Sequence, residues 1–156
     1  MRISKLIKTD EGVESLKRLM TKLDGDFDPP FHTRVDSLEA FISKMLDSGM
    51  INVASKDSEI AGAVGYYCND SIKFQGYITY FGVLHDYHGR GIANRLLEAC
   101  IKKNIEAGMH NIRVRTDKSN LGAIRFYRKN GFILEKPELE TEDSNEKVYL
   151  VFEIGK

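Results

Sequence analysis

Apolar positions along this chain change their spacing several times, and each change predicts an element. In residues 11–23, Val13, Leu16, Leu19, Met20 and Leu23 recur at helical intervals and predict an amphipathic helix, with a short strand before it over residues 3–7. Residues 24–35 contain Gly25, Pro29 and Pro30, which predict a loop exposing Phe27, Phe31, His32 and Arg34. Asp36 and Glu39 have capping-box spacing, and Leu38, Phe41, Ile42, Met45 and Leu46 continue as a second helix. Residues 51–54 and 60–67 then predict a β-hairpin turning at residues 56–59, and residues 72–84, rich in aromatic and β-branched side chains, predict a long central strand. After Gly91, Ile92, Leu96, Leu97, Cys100, Ile101 and Ile105 form one helical face that stops near Gly108. Ile112, Val114 and Thr116 alternate with Arg113 and Arg115 as in a half-buried strand. Residues 120–130 read as a short helix ended by Gly131, residues 132–134 as a strand, residues 135–146 as a polar loop, and residues 148–154 as a closing strand.

Composition narrows the class. A chain of 156 residues suits a single domain over residues 1–156. Lys plus Arg and Asp plus Glu both number 23, so the basic footprint of a nucleic-acid binder is lacking and no nucleic-acid partner is expected. No apolar run approaches the roughly 20 residues of a membrane helix, and the first residues do not resemble a secretory signal; a cytoplasmic protein without a membrane partner is expected. Cys68 and Cys100 are too few for a disulfide scaffold and lack metal spacing, so reduced thiols and no metal are expected.

Candidate chemistry lies in two runs. His88-Gly89-Arg90-Gly91-Ile92-Ala93 stands between the central strand and a helix, where paired glycines turn successive amides toward one point and the helix dipole favours a diphosphate. The second is Asn120-Leu121-Gly122-Ala123-Ile124-Arg125-Phe126-Tyr127-Arg128-Lys129-Asn130-Gly131-Phe132. Together they resemble the Q/R-x-x-G-x-G/A and N-x-x-A-x-x-(F/Y)-Y-x-x-x-G-F motifs of the GNAT superfamily of acyl-CoA-dependent N-acyltransferases. The resemblance implies an α/β (α+β) fold: a central mixed, mostly antiparallel twisted sheet of about six or seven strands with a splayed central pair, flanked by about four helices. It also implies acetyl-CoA as donor and an amine acceptor, and it leaves a homodimer open. The strand before the cradle is then expected to splay, through a bulge near Gly82, so that Val83 and Leu84 pair with pantetheine. The amides of His88, Gly89, Arg90, Gly91, Ile92 and Ala93 would hold the pyrophosphate, and Asn120 and Ala123 would border the coenzyme. His88 departs from the Gln or Arg of the family. Tyr127 would be the general acid beside the sulfur, because the leaving thiol, near the cysteine value of about 8.5, needs a proton that a neutral phenol carries at pH 7.

The base and the acceptor are less determined. No carboxylate occurs in residues 72–84; Tyr77, Tyr80 and His85 are the polar candidates for a base nearby, each with an ordinary packing or loop reading. Arg34 and the aromatic residues of its loop suit an acceptor with a carboxylate or phosphate, whereas Glu138, Glu140, Glu142, Asp143 and Glu146 suit a cationic amine. Three classes follow: an N-acetyltransferase by direct attack in a ternary complex, a non-catalytic acyl-CoA sensor that keeps the cradle, and a nucleotide-binding domain. The third lacks a Lys-Ser/Thr pair after the glycines.

Overall fold

A computed structural model describes residues 1–136 and 147–155. Among these, seven strands and four α-helices follow the order β1 (Arg2–Lys5), α1 (Asp10–Leu23), α2 (Leu38–Ser48), β2 (Met50–Lys56), β3 (Glu59–Tyr67), β4 (Gln75–Val83), α3 (Ile92–Glu106), β5 (Asn111–Asp117), α4 (Leu121–Lys129), β6 (Ile133–Leu134) and β7 (Lys147–Glu153). The sheet order is β1-β2-β3-β4-β5-β7-β6. Every pairing is antiparallel except β4 with β5, which run parallel.

Two apolar layers sandwich this sheet. Leu16, Leu19, Met20 and Leu23 of α1 pack with Ile42 and Met45 of α2 on one face, and Leu96, Leu97 and Cys100 of α3 pack with Ile112 and Leu150 on the other. Each of the four α1 side chains is at most 2% exposed, so each contributes about 2 kcal/mol of hydrophobic stabilisation. Strand β3 is covered on both faces, which is why residues 60–66 are buried without alternation. No described helix is long and apolar enough to cross a membrane.

Several boundaries differ from the sequence expectation for local reasons. Ser37, not Asp36, caps α2: its Oγ accepts from the Ala40 N–H at 3.0 Å, and Glu39 instead pairs with Lys17 of α1. The central strand starts at Gln75 because the Asp70 carboxylate accepts the Ile72 and Lys73 N–H groups and turns the chain, leaving Ile72 exposed. In α3 the buried face turns to Asn104 while Ile105 lies outward. Phe31, expected on an exposed loop, is buried in an aromatic group with Phe27, Phe41 and Tyr80. The acidic residues 138–146 lie outside the described residues.

The central pair does part. Strands β4 and β5 pair from Gln75 with Asn111 to Ile78 with Val114, after which β5 continues only along β7 and β4 only along β3. The bulge is not at Gly82. Gly65 faces Tyr80 and Tyr66 faces Ile78, so Thr79 is the extra residue. Gly82 answers a packing need: a Cβ there would lie 2.8 Å from Leu23 Cδ1 and 3.2 Å from Tyr80 Oη.

Candidate active site

The site grows from the gap that Thr79 opens. The Leu84 N–H donates to the Ala61 oxygen at 2.8 Å, so by strand alternation the Phe81 and Val83 backbone groups face away from β3, toward the gap. Leu84, expected beside Val83, is therefore tied to β3 and packs in the α1/α2 layer. The Val83 oxygen accepts from His88 Nε2 at 2.8 Å, which gives the departing His88 a definite task.

Gly89 and Gly91 hold left-handed backbone, φ 77° and 76°, a conformation that costs other residues about 1–2 kcal/mol. Gly91 is the N-cap of α3 and no side chain caps the helix; its oxygen accepts the first helical bond, from the Arg95 N–H at 3.1 Å. The amides of Ile92, Ala93 and Asn94 thus lack helical partners. They border a cavity of about 450 Å³ whose walls include Phe81, Val83, His88, Gly89, Gly91, Ala123 and Tyr127. Arg90 stands outside it, its guanidinium 5.2 Å from the Tyr87 ring centre.

Helix α4 is fixed at both ends. Asn120 Oδ1 accepts from the Ala123 N–H at 3.1 Å. At the other end Phe132 N–H donates to Tyr127 O and Gly131 N–H to Arg128 O, a Schellman closure with Gly131 at φ 94°. Tyr127 is held among Phe81, Phe126 and Phe132, with ring centres 5.2–6.2 Å away. At 5% exposure its phenol is pushed above the ordinary tyrosine range by burial, so it stays protonated at neutral pH.

Phe81, Ala123 and Tyr127 also border a second cavity, of about 110 Å³, reached through the parted strands. Its other walls include Phe27, Arg34, Arg115, Asp117 and Asn120. A third, of about 210 Å³, adjoins it, shares Phe31, Arg34 and Arg115, and adds Phe41 and Tyr77. Ions organise this side. Asp117 pairs with Lys147 and, at 3.5 Å, with Arg34, whose Nε donates to the Pro29 oxygen at 3.0 Å. Arg113 bonds both oxygens of Glu135 at 2.8 and 2.9 Å and lies over Tyr149. The 24–34 segment is pinned by Asp24, which accepts from His32, and by an Asp26–His85 contact of 2.8 Å. Hydrogen bonds from His32 backbone and ring hold Asp24 below the usual carboxylate range.

Of the residues expected to bind or act, the structure brings Val83, His88, Gly89, Gly91, Ile92, Ala93, Ala123 and Tyr127 to one cavity and Asn120 to its neighbour; Leu84 and Arg90 line neither. Tyr77 and Tyr80 line the third and second cavities respectively, whereas His85 serves the Asp26 contact. Asp117 escaped the sequence reading, although carrying the alternation of Arg113 and Arg115 one step further places it on the same face of β5.

Comparison with known proteins bears on the family and the fold. The model of the acetyltransferase (GNAT) family matches residues 16–132. A stretch of 63 residues is 40% identical to N-alpha-acetyltransferase MAK3 of Arabidopsis thaliana, covering 40% of this chain and 33% of the relative, so the chain spans about a third of that protein. N-alpha-acetyltransferase 30 of Saccharomyces cerevisiae is 27% identical over 135 residues, 83% of this chain and 74% of the relative. In fold, a GNAT-family acetyltransferase of Staphylococcus aureus superposes with a TM-score of 0.75 at 19% identity, covering 99% of this chain and 100% of the other.

Proposed function

This chain belongs to the acetyltransferase (GNAT) family, and we propose that it is an acyltransferase that moves an acetyl group from acetyl-CoA to a primary amine, of a small molecule or a protein, by direct attack in a ternary complex. The observation that carries the reading is the continuity of the cleft: Tyr127 borders both the cavity at the start of α3 and the cavity beyond the parted strands. The names of the two relatives favour an α-amine among primary amines.

In this reading the unpartnered amides of Ile92, Ala93 and Asn94 and the glycine turn hold the pyrophosphate, while the exposed edge of β4 at Phe81 and Val83 aligns the pantetheine arm. The acceptor nitrogen attacks the thioester carbonyl from the Arg34 side, the carbon–nitrogen bond forms, and the carbon–sulfur bond breaks. Tyr127, kept neutral by burial, gives its proton to the leaving sulfur and is reprotonated from the amine by way of solvent. Holding both reactants in one cleft supplies most of the acceleration.

Melting curves test the donor. Acetyl-CoA at a hundred times its dissociation constant should stabilise the fold by about 2.7 kcal/mol, with no shift from ATP or NAD. Thiol release with a panel of amines tests transfer. A second reading, an acyl-CoA sensor, draws on one observation: among the described residues no carboxylate borders the donor cavity, and Asp117 on the acceptor side is already held by Lys147 and Arg34. Tight acetyl-CoA binding with no turnover of any amine would favour it.

A further inference from the structure

We infer that the acceptor is an amino-acid-like molecule, a primary amine that carries its own carboxylate and an apolar body, and that Arg115 selects it. The inference rests on the acetyltransfer reading and specifies the acceptor of that same site. Four of the described cations, Arg34, Arg113, Arg115 and Lys147, stand on the α1/α2 side of the cleft, and three of them are paired. Arg113 is committed to Glu135, while Lys147 and Arg34 share Asp117. Among the described residues no carboxylate pairs with Arg115, and it borders both acceptor-side cavities.

That position is informative because of what surrounds it. One of the two cavities reaches Tyr127, where transfer would occur; the other is walled by Phe31, Phe41 and Tyr77. An arginine that borders both cavities can offer a planar fork for a carboxylate within a few bonds of the amine, with the aromatic residues as an apolar surface for the side chain beyond. A peptide-linked residue offers no carboxylate at that distance and would leave the fork without a partner. The transfer balances simply: the α-nitrogen bonds to the acetyl carbon, the sulfur leaves as the CoA thiol with one proton, and the product is the N-acetyl amino acid with its carboxylate unchanged.

The test compares L-phenylalanine with L-phenylalaninamide, which mimics a peptide N-terminus, in thiol release by the full chain with saturating acetyl-CoA. We expect kcat/KM at least about tenfold higher for the acid, the size expected of one hydrogen-bonded charge pair. Arg115→Gln should bring the ratio to near one, through KM rather than kcat, and leave acetyl-CoA affinity unchanged. A parallel titration measures N-acetyl-L-phenylalanine and its amide against the protein saturated with CoA, by calorimetry and without turnover. Tighter binding of the acid that Arg115→Gln abolishes supports the inference even where no amine is turned over, the outcome that would remove the transferase reading alone. Equal turnover of acid and amide by the parent protein, or an acid preference that survives Arg115→Gln, overturns the inference and leaves the transferase reading intact.

Discussion

The proposed donor and acceptor halves of the cleft are built from different parts of the chain. On the α3 side the cavity is shaped by backbone: two glycines at positive φ, the first amides of a helix, and a strand edge released by the bulge at Thr79. Its polar side chains are few, and His88 spends its ring on the Val83 oxygen. On the α1/α2 side the walls are side chains, with Phe27, Phe31, Arg34, Tyr77, Arg115 and Asp117 drawn from a loop and two strands. A backbone site recognises groups common to one ligand and tolerates side-chain change, whereas a side-chain site can change its ligand with one substitution. Tyr127 belongs to both halves, so the largest expected effect lies there. Tyr127→Phe should lower kcat by on the order of a hundredfold while the acetyl-CoA dissociation constant, measured by titration calorimetry, stays within experimental error. Unchanged turnover would remove the phenol from the mechanism.

The donor half should yield next, and only to a backbone change. Gly91 has nothing within 4 Å of the place where a Cβ would sit, so Gly91→Ala meets no obstacle there except its own φ of 76°. The free turn can relax out of a strain of about 1–2 kcal/mol that donor binding must restore, which predicts a roughly tenfold loss of acetyl-CoA affinity. Gly25→Ala is the control, since Gly25 is equally unobstructed but has no positive φ, and it should leave affinity alone. If both variants bind alike, the left-handed turn is not what holds the donor.

The same contrast explains what the sequence could tell. Elements with one strong period, α1, α3 and α4, are legible because an apolar stripe must find a core, and the glycine run is legible because few residues other than glycine take its backbone shape. The bulge is not, because Thr79 looks like any strand residue and becomes the extra one only through the register that β3 imposes. Gly82, which invites a bulge, is explained instead by Leu23 and the folded-back Tyr80 ring, a contact between distant segments. Phe31 was misplaced for the same kind of reason: a loop punctuated by prolines reads as exposed, yet Phe41 and Tyr80 bury its ring. The acceptor half is assembled across many sequence intervals, so its charge pattern emerges only after folding.

Acid should loosen the acceptor half by way of Asp24. Its pKa is lowered first by the His32 backbone hydrogen bond and then by the His32 ring, so the folded value lies below the unfolded one of about 3.9. A depressed folded pKa gives stability that is present above the unfolded value and lost as pH falls through the folded one. Between pH 5 and 7 this group therefore contributes no pH dependence. Asp24→Asn should melt lower than the parent near neutrality, and the gap should close as pH drops below about 4. A gap that persists at pH 2.5 would mean that the carboxylate charge is not what pins the segment.

The smallest expected effect is the sharpest check on the contrast. His88 occupies the position where the family carries Gln or Arg, and among the described residues its side chain makes one hydrogen bond, from Nε2 to the Val83 oxygen at 2.8 Å, at an exposed site. A glutamine amide can donate to the same oxygen, and where it falls short water can reach that carbonyl. A net hydrogen bond is worth about 0.5–1.5 kcal/mol and here is largely replaced, so His88→Gln should change acetyl-CoA affinity by less than about threefold. Titration calorimetry reads this directly. A tenfold loss would show that the donor half depends on a side chain as the acceptor half does, and the division between a backbone site and a side-chain site would fail at the residue where it is easiest to break.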